Sequence, residues 1–134
     1  MLNFFMKAIL SSAAIAAMLM TPATAAILRV PDDFATIEAA LSEVHDSDAI
    51  LLAPGTYAGD SNWDLEIPPV SFTISGDGTA EQVILEGAGQ SAPVCNFLYG
   101  SIGQGRTVVL RNLSLLRFRG TDWVCRAVTV WGNG

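Results

Sequence analysis

Short apolar runs divided by Gly, Asn, Asp and Pro recur along most of this chain, and their spacing limits the available folds more than any single motif does. AILLA at 49–53 stops at Pro54-Gly55, SFTIS follows at 71–75, QVILEG at 82–87, RTVVLRNLSLLRF at 106–118 and RAVTVWG at 126–132. Ile50 to Thr73 spans 23 residues, Ile84 to Val109 spans 25, and Val109 to Thr129 spans 20. No helical pattern stands between the runs, whose content is strand-like. A strand repeat of about 20 to 25 residues predicts an all-β solenoid, each coil laying its strands along those of the coil before it. A β-sandwich is the rival, and Asp77-Gly78 would then close a hairpin between Ile74 and the strand at 83–85.

One amphipathic helix precedes the repeats. In DFATIEAALSEVH, 33–45, the residues Phe34, Ile37, Leu41 and Val44 fall at helical spacing, Ala40 shares their face, and Glu38 and Glu43 point away. Asp32 or Asp33 is expected to cap its start and His45 to meet the carbonyls at its end. Ile27–Val30 reads as an opening strand stopped by Pro31. Asn112 suits a bend in the left-handed backbone region, and Asn112-Leu113-Ser114 is also an N-x-S sequon.

Residues 1–25 read as a signal peptide: Lys7, then an uncharged apolar run from Ala8 to Met20, then small residues. Ser11, Ser12, Thr21 and Pro22 break or bound a run shorter than the roughly 20 apolar residues of a membrane span. Cleavage after Ala25 places Ala23 three positions before the cut, and cleavage after Ala26 is the close competitor. The mature domain is then 26–134, secreted or periplasmic, with no membrane attachment once the leader is removed. Between Val30 and Gly105 the chain carries twelve acids and no Lys or Arg, which excludes a general binder of phosphate backbones, so no nucleic-acid partner is expected.

Cys95 and Cys125 are the only cysteines, and in an exported protein they form either a disulfide or two buried thiols. Their spacing fits neither a redox pair nor a zinc site. Asp46, Asp48, Asp60 and Asp64 are of the ligand type that calcium takes, but follow no known calcium-loop spacing, so no metal or other cofactor is expected. A capping role is expected of the lone His45 in place of metal binding.

The segment VPDDFATIEAALSEVHDSDAILLAPGTY, 30–57, resembles the opening module of pectate-lyase-like right-handed parallel β-helix proteins, in which a strand, a short capping α-helix and a strand ending in a P-G-x-Y turn come first. SFTISGDGTAEQVILEG is similar to their next coil and VVLRNLSLL to a later one. The resemblance implies an N-terminal cap and first coils of such a β-helix, incomplete at the C-terminus, with the catalytic set of those enzymes carried by later coils. It also implies polysaccharide binding or processing, uronate-rich substrates first. Active pectate-lyase-like or pectin-esterase-like enzymes and noncatalytic surface solenoids are the alternatives. Gly55-Thr56-Tyr57-Ala58 is followed by Gly59 where pectin methylesterases carry Glu, which counts against that branch.

Arginines suit uronate carboxylates and aromatics stack on sugar rings. Arg117 and Arg119 alternate with Phe118, so a strand there would turn both outward, and Trp123 follows; these three are the substrate-binding candidates. Trp123 could instead pack under a loop, and Asp122 beside Arg119 reads as a surface ion pair.

Overall fold

The computed structural model describes residues 23–87, 96–118 and 128–130. The elements are β1 (Ile27–Val30), α1 (Ile37–Ser42), β2 (Asp48–Leu52), β3 (Gly55–Tyr57), β4 (Leu65–Glu66), β5 (Phe72–Gly76), β6 (Val83–Glu86), β7 (Leu98–Gly100), β8 (Val108–Arg111), β9 (Ser114–Leu116) and β10 (Val128–Val130). The fold is all-β with a single six-residue helix among the described residues. Every described ladder is parallel, in three sheets: β1-β2-β5-β8, β3-β6-β9 and β4-β7-β10. From β2 onward the chain visits the three sheets in the same order three times. The hairpin at Asp77-Gly78 does not form, because β5 and β6 lie in different sheets.

The register explains which side chains are buried. Ile50 faces Ile74, which faces Leu110, and Leu52 lies over Gly76. Alternate residues of β2 and β5 are buried, so their outward partners Ala49, Leu51, Thr73 and Ser75 form the outer face of the first sheet. Val83 and Leu85 from the second sheet and Leu65 and Leu98 from the third join them in one core. The repeat is not the even one read from the spacing. Val109 pairs with Thr73 and Ile84 with Ser114, so the 84-to-109 and 109-to-129 intervals compared strands from different sheets.

The helix is shorter than its periodicity suggested. Its N-cap is Thr36, whose hydroxyl accepts from the Ala39 N–H at 3.2 Å, while Asp33 is drawn into a turn and accepts from the Arg29 N–H at 3.1 Å. Ile37, Ala40 and Leu41 are buried, and the helix packs on β1 and β2, covering the first strands. Tyr57 gives the P-G-x-Y turn a physical role: its hydroxyl sits 3.0 Å from the Val30 carbonyl and 2.7 Å from that of Ala53, tying β3 back to β1. Asn112 has φ +54° between β8 and β9, the left-handed bend expected of it.

His45 does not meet the helix carbonyls. It lies beyond α1, and its backbone N–H donates to Asp48 Oδ2 at 2.8 Å, with Nδ1 3.7 Å from the same oxygen. Asp48, one of the four acids of calcium-ligand type, is buried at the start of β2, and the Ala26 N–H donates to its Oδ1 at 2.7 Å. These contacts, Ala26 first, outweigh burial and hold its carboxyl below the usual carboxylate value. A carboxyl with a depressed folded-state pKa stabilises the fold above its ordinary value and loses that contribution as pH falls through the lower folded value. Asp48→Asn is therefore expected to cost about 2 kcal/mol at neutral pH. The gap to the wild type should narrow from about pH 4 downward, as followed by urea unfolding across pH.

Candidate functional site

A groove enclosing about 520 Å³ opens between α1 and the outer side of the third sheet. Glu38 comes from α1, Asp64 and Glu66 from the β4 segment, and Tyr99 from β7, with Pro68 and Pro69 at one wall. The local folding that builds it is specific. The first free N–H groups of the helix are taken by the 58–64 loop: Ile37 N–H donates to Asn62 Oδ1 at 3.0 Å and Glu38 N–H to the Ser61 carbonyl at 3.0 Å. Asn62 is in turn fixed by donating from Nδ2 to the Ala58 carbonyl at 2.9 Å. The loop then enters β4, where Leu65 pairs with Leu98 inward and Glu66 with Tyr99 outward.

The chemistry of this wall is acidic and partly aromatic. Glu38, Asp64 and Glu66 can accept hydrogen bonds from hydroxyl groups, Tyr99 adds an aromatic ring to the lining, and among the described residues no Lys or Arg lines the groove. Among the described residues no group of three or more His, Cys, Asp or Glu is placed to hold a metal ion. Asp46 and Asp48, two of the four acids of calcium-ligand type, are spent on backbone N–H groups, Asp46 accepting from Ser71 at 2.9 Å. No described helix is long and apolar enough to cross a membrane.

Of the candidates named from sequence, Arg117 is described, and Arg119, Trp123, Cys95 and Cys125 lie outside the described residues, as does most of the 1–25 leader. The expected outward alternation stops at Arg117. β9 ends at Leu116, Arg117 takes φ +59°, and its guanidinium lies 2.7 Å from Glu86 Oε1. Phe118 turns inward, edge-on to Phe97 with ring centroids 6.2 Å apart. The Arg117 guanidinium thus forms an ion pair with Glu86 at the surface, apart from the residues that line the groove above. Sequence reading missed Glu66 and Tyr99; their signal is the inward-outward alternation of Leu65-Glu66 and Leu98-Tyr99, too short to stand out. No family model, no curated protein and no solved structure matches the chain.

Proposed function

We propose that this chain is an exported right-handed parallel β-helix of the pectate-lyase-like kind, and that it binds a polysaccharide along the groove beside the third sheet. Three parallel sheets visited in constant order, with a helix over the first strands, support the architecture. The observation that carries the binding reading is the groove itself, where Tyr99 stands beside Glu66 across adjacent strands within a cleft open to one side of α1. A ring stacks on an aromatic face while its hydroxyls donate to carboxylates. Three acids and, among the described residues, no lining cation favour neutral sugars over uronates. With Arg117 held by Glu86, uronate is the second reading and rests on Arg119 and Trp123.

Calorimetric titration of neutral hemicelluloses, polygalacturonate and alginate tests this. Neutral chains are expected to bind, and Tyr99→Ala to weaken them about tenfold, the equivalent of roughly 1.4 kcal/mol. Equal or tighter binding of uronates unaffected by Tyr99→Ala would move the site elsewhere, and no binding by any glycan would remove the proposal.

A further inference from the structure

Asp48 opens β2 with its carboxylate turned inward and only 4% of the residue exposed. Its Oδ1 accepts from the Ala26 nitrogen at 2.7 Å, a contact that ties the start of β1 to the start of β2. Beside it the Ala49 N–H donates to the Ala26 carbonyl at 2.9 Å, so Ala26 is held on both sides of its α-carbon. Residues 23–26 nonetheless lie outside regular secondary structure and are exposed, which leaves the bond before Ala26 accessible. The sequence there is Ala23-Thr24-Ala25-Ala26, small residues following an apolar run, the pattern that export endopeptidases cut.

We infer that cleavage between Ala25 and Ala26 turns this hydrogen bond into an ion pair, the new α-ammonium of Ala26 on the Asp48 carboxylate, which fastens β1 to β2 in the mature protein. In the cut, water adds across the peptide bond: the Ala25 carbonyl carbon gains the oxygen and leaves as a carboxylate, and the Ala26 nitrogen gains two protons to become an ammonium. The catalyst is an export-linked endopeptidase of small-residue specificity. One amide proton facing the carboxylate is replaced by a full positive charge, and charge-assisted hydrogen bonds are about twice as strong as neutral ones. Cleavage one residue later, after Ala26, would delete the donor, so of the two sites that the small-residue rule leaves open only the cut after Ala25 keeps this contact.

The other titratable group facing Asp48 is His45, whose imidazole is 84% exposed, while the neighbouring Asp46 is turned to the Ser71 N–H. An amine that gains a carboxylate has its pKa raised. Its contribution is complete below the ordinary α-amino value and is lost as pH rises through the folded-state value.

The inference shares with the proposed function only the export leader, and the test separates the two. The full chain is expressed with its own leader in a bacterial host, and the exported product is analysed by intact mass and N-terminal sequencing. Lys7 is the only lysine, so a chain starting at Ala26 has a single amine, and pH-dependent acylation rates report that group alone. The expected results are an N-terminus at Ala26 and an acylation midpoint about one pH unit or more above that of the same protein in urea. In Asp48→Asn the midpoint should return to the urea value. Should that variant not fold, the comparison of folded and unfolded wild type still decides. An N-terminus at Ile27, or an amine titrating alike in both states, overturns the ion pair and leaves glycan binding untouched. A retained leader overturns the ion pair and the export reading together.

Discussion

Phe97→Ala is expected to lower unfolding free energy by about 4 kcal/mol, since emptying the site of a fully buried Phe costs roughly 3 to 5 kcal/mol. Phe97 is 0% exposed and meets Phe118 edge-on, so the truncation removes both its own burial and the partner of the ring that follows β9. Domains of this size are stable by only about 5 to 15 kcal/mol. The loss should therefore appear in urea titration as a large fall in midpoint, or as a chain that no longer folds at 37 °C. Phe97→Leu, which keeps most of the apolar volume, should recover much of the loss.

Gly76→Ala is expected to be nearly as damaging for a different reason. A Cβ on Gly76 would collide with the Asn112 carbonyl oxygen and sit 2.9 Å from Val83 Cγ2. The first of these atoms is backbone, belonging to the left-handed bend between β8 and β9, and cannot swing aside as a side chain can. Overpacking of this kind costs about 3 kcal/mol. Were the Asn112 bend not stacked on the end of β5, only the Val83 side chain would oppose the added Cβ, and the loss would be smaller. The size of the shift in thermal midpoint thus reports whether the third pass of the chain lies on the second. Ser75→Ala, on the outward side of the same strand, should change stability by less than about 0.5 kcal/mol.

The sequence revealed the longer strands because they are long enough to alternate. β2 and β5 each show five residues of regular in-out burial, and the runs read at 49–53 and 71–75 lie within one residue of them. Of the third sheet only β10 fell within a run read from sequence; β4, with two residues, and β7, with three, lie below the length at which a period of two can be told from chance. Without those strands the circuit had no third side, and Ile84 was measured against Val109 when its partner is Ser114. Even the Ile50-to-Thr73 comparison is one residue short of the true Ile50-to-Ile74 pair, a slip that exchanges inward for outward side chains.

Site residues were harder to read for a similar reason. The Arg117 reading assumed that β9 continued, and only the local backbone, with φ +59°, shows that it stops and that Phe118 turns inward. The groove draws Glu38, Glu66 and Tyr99 from three segments, Glu66 and Tyr99 paired across β4 and β7 and α1 tied to the loop before β4 by Asn62 and Ser61. No spacing between those residues could announce it. Asp48 likewise looked like one more surface acid, since its partners are backbone N–H groups that carry no sequence signature.

Parallel in-register stacking of the first sheet is the claim on which the groove and the Gly76 contact both depend, and cysteine pairing tests it directly. With Cys95 and Cys125 replaced by Ser, the outward residues Ala49, Leu51, Thr73 and Ser75 are changed to Cys in pairs and oxidised. Facing residues on adjacent strands lie about 5 Å apart, within the range a disulfide spans. The parallel register predicts rapid closure for Ala49→Cys with Thr73→Cys and for Leu51→Cys with Ser75→Cys. Preferential closure of the crossed pairs, 49 with 75 and 51 with 73, would show antiparallel strands and contradict the fold.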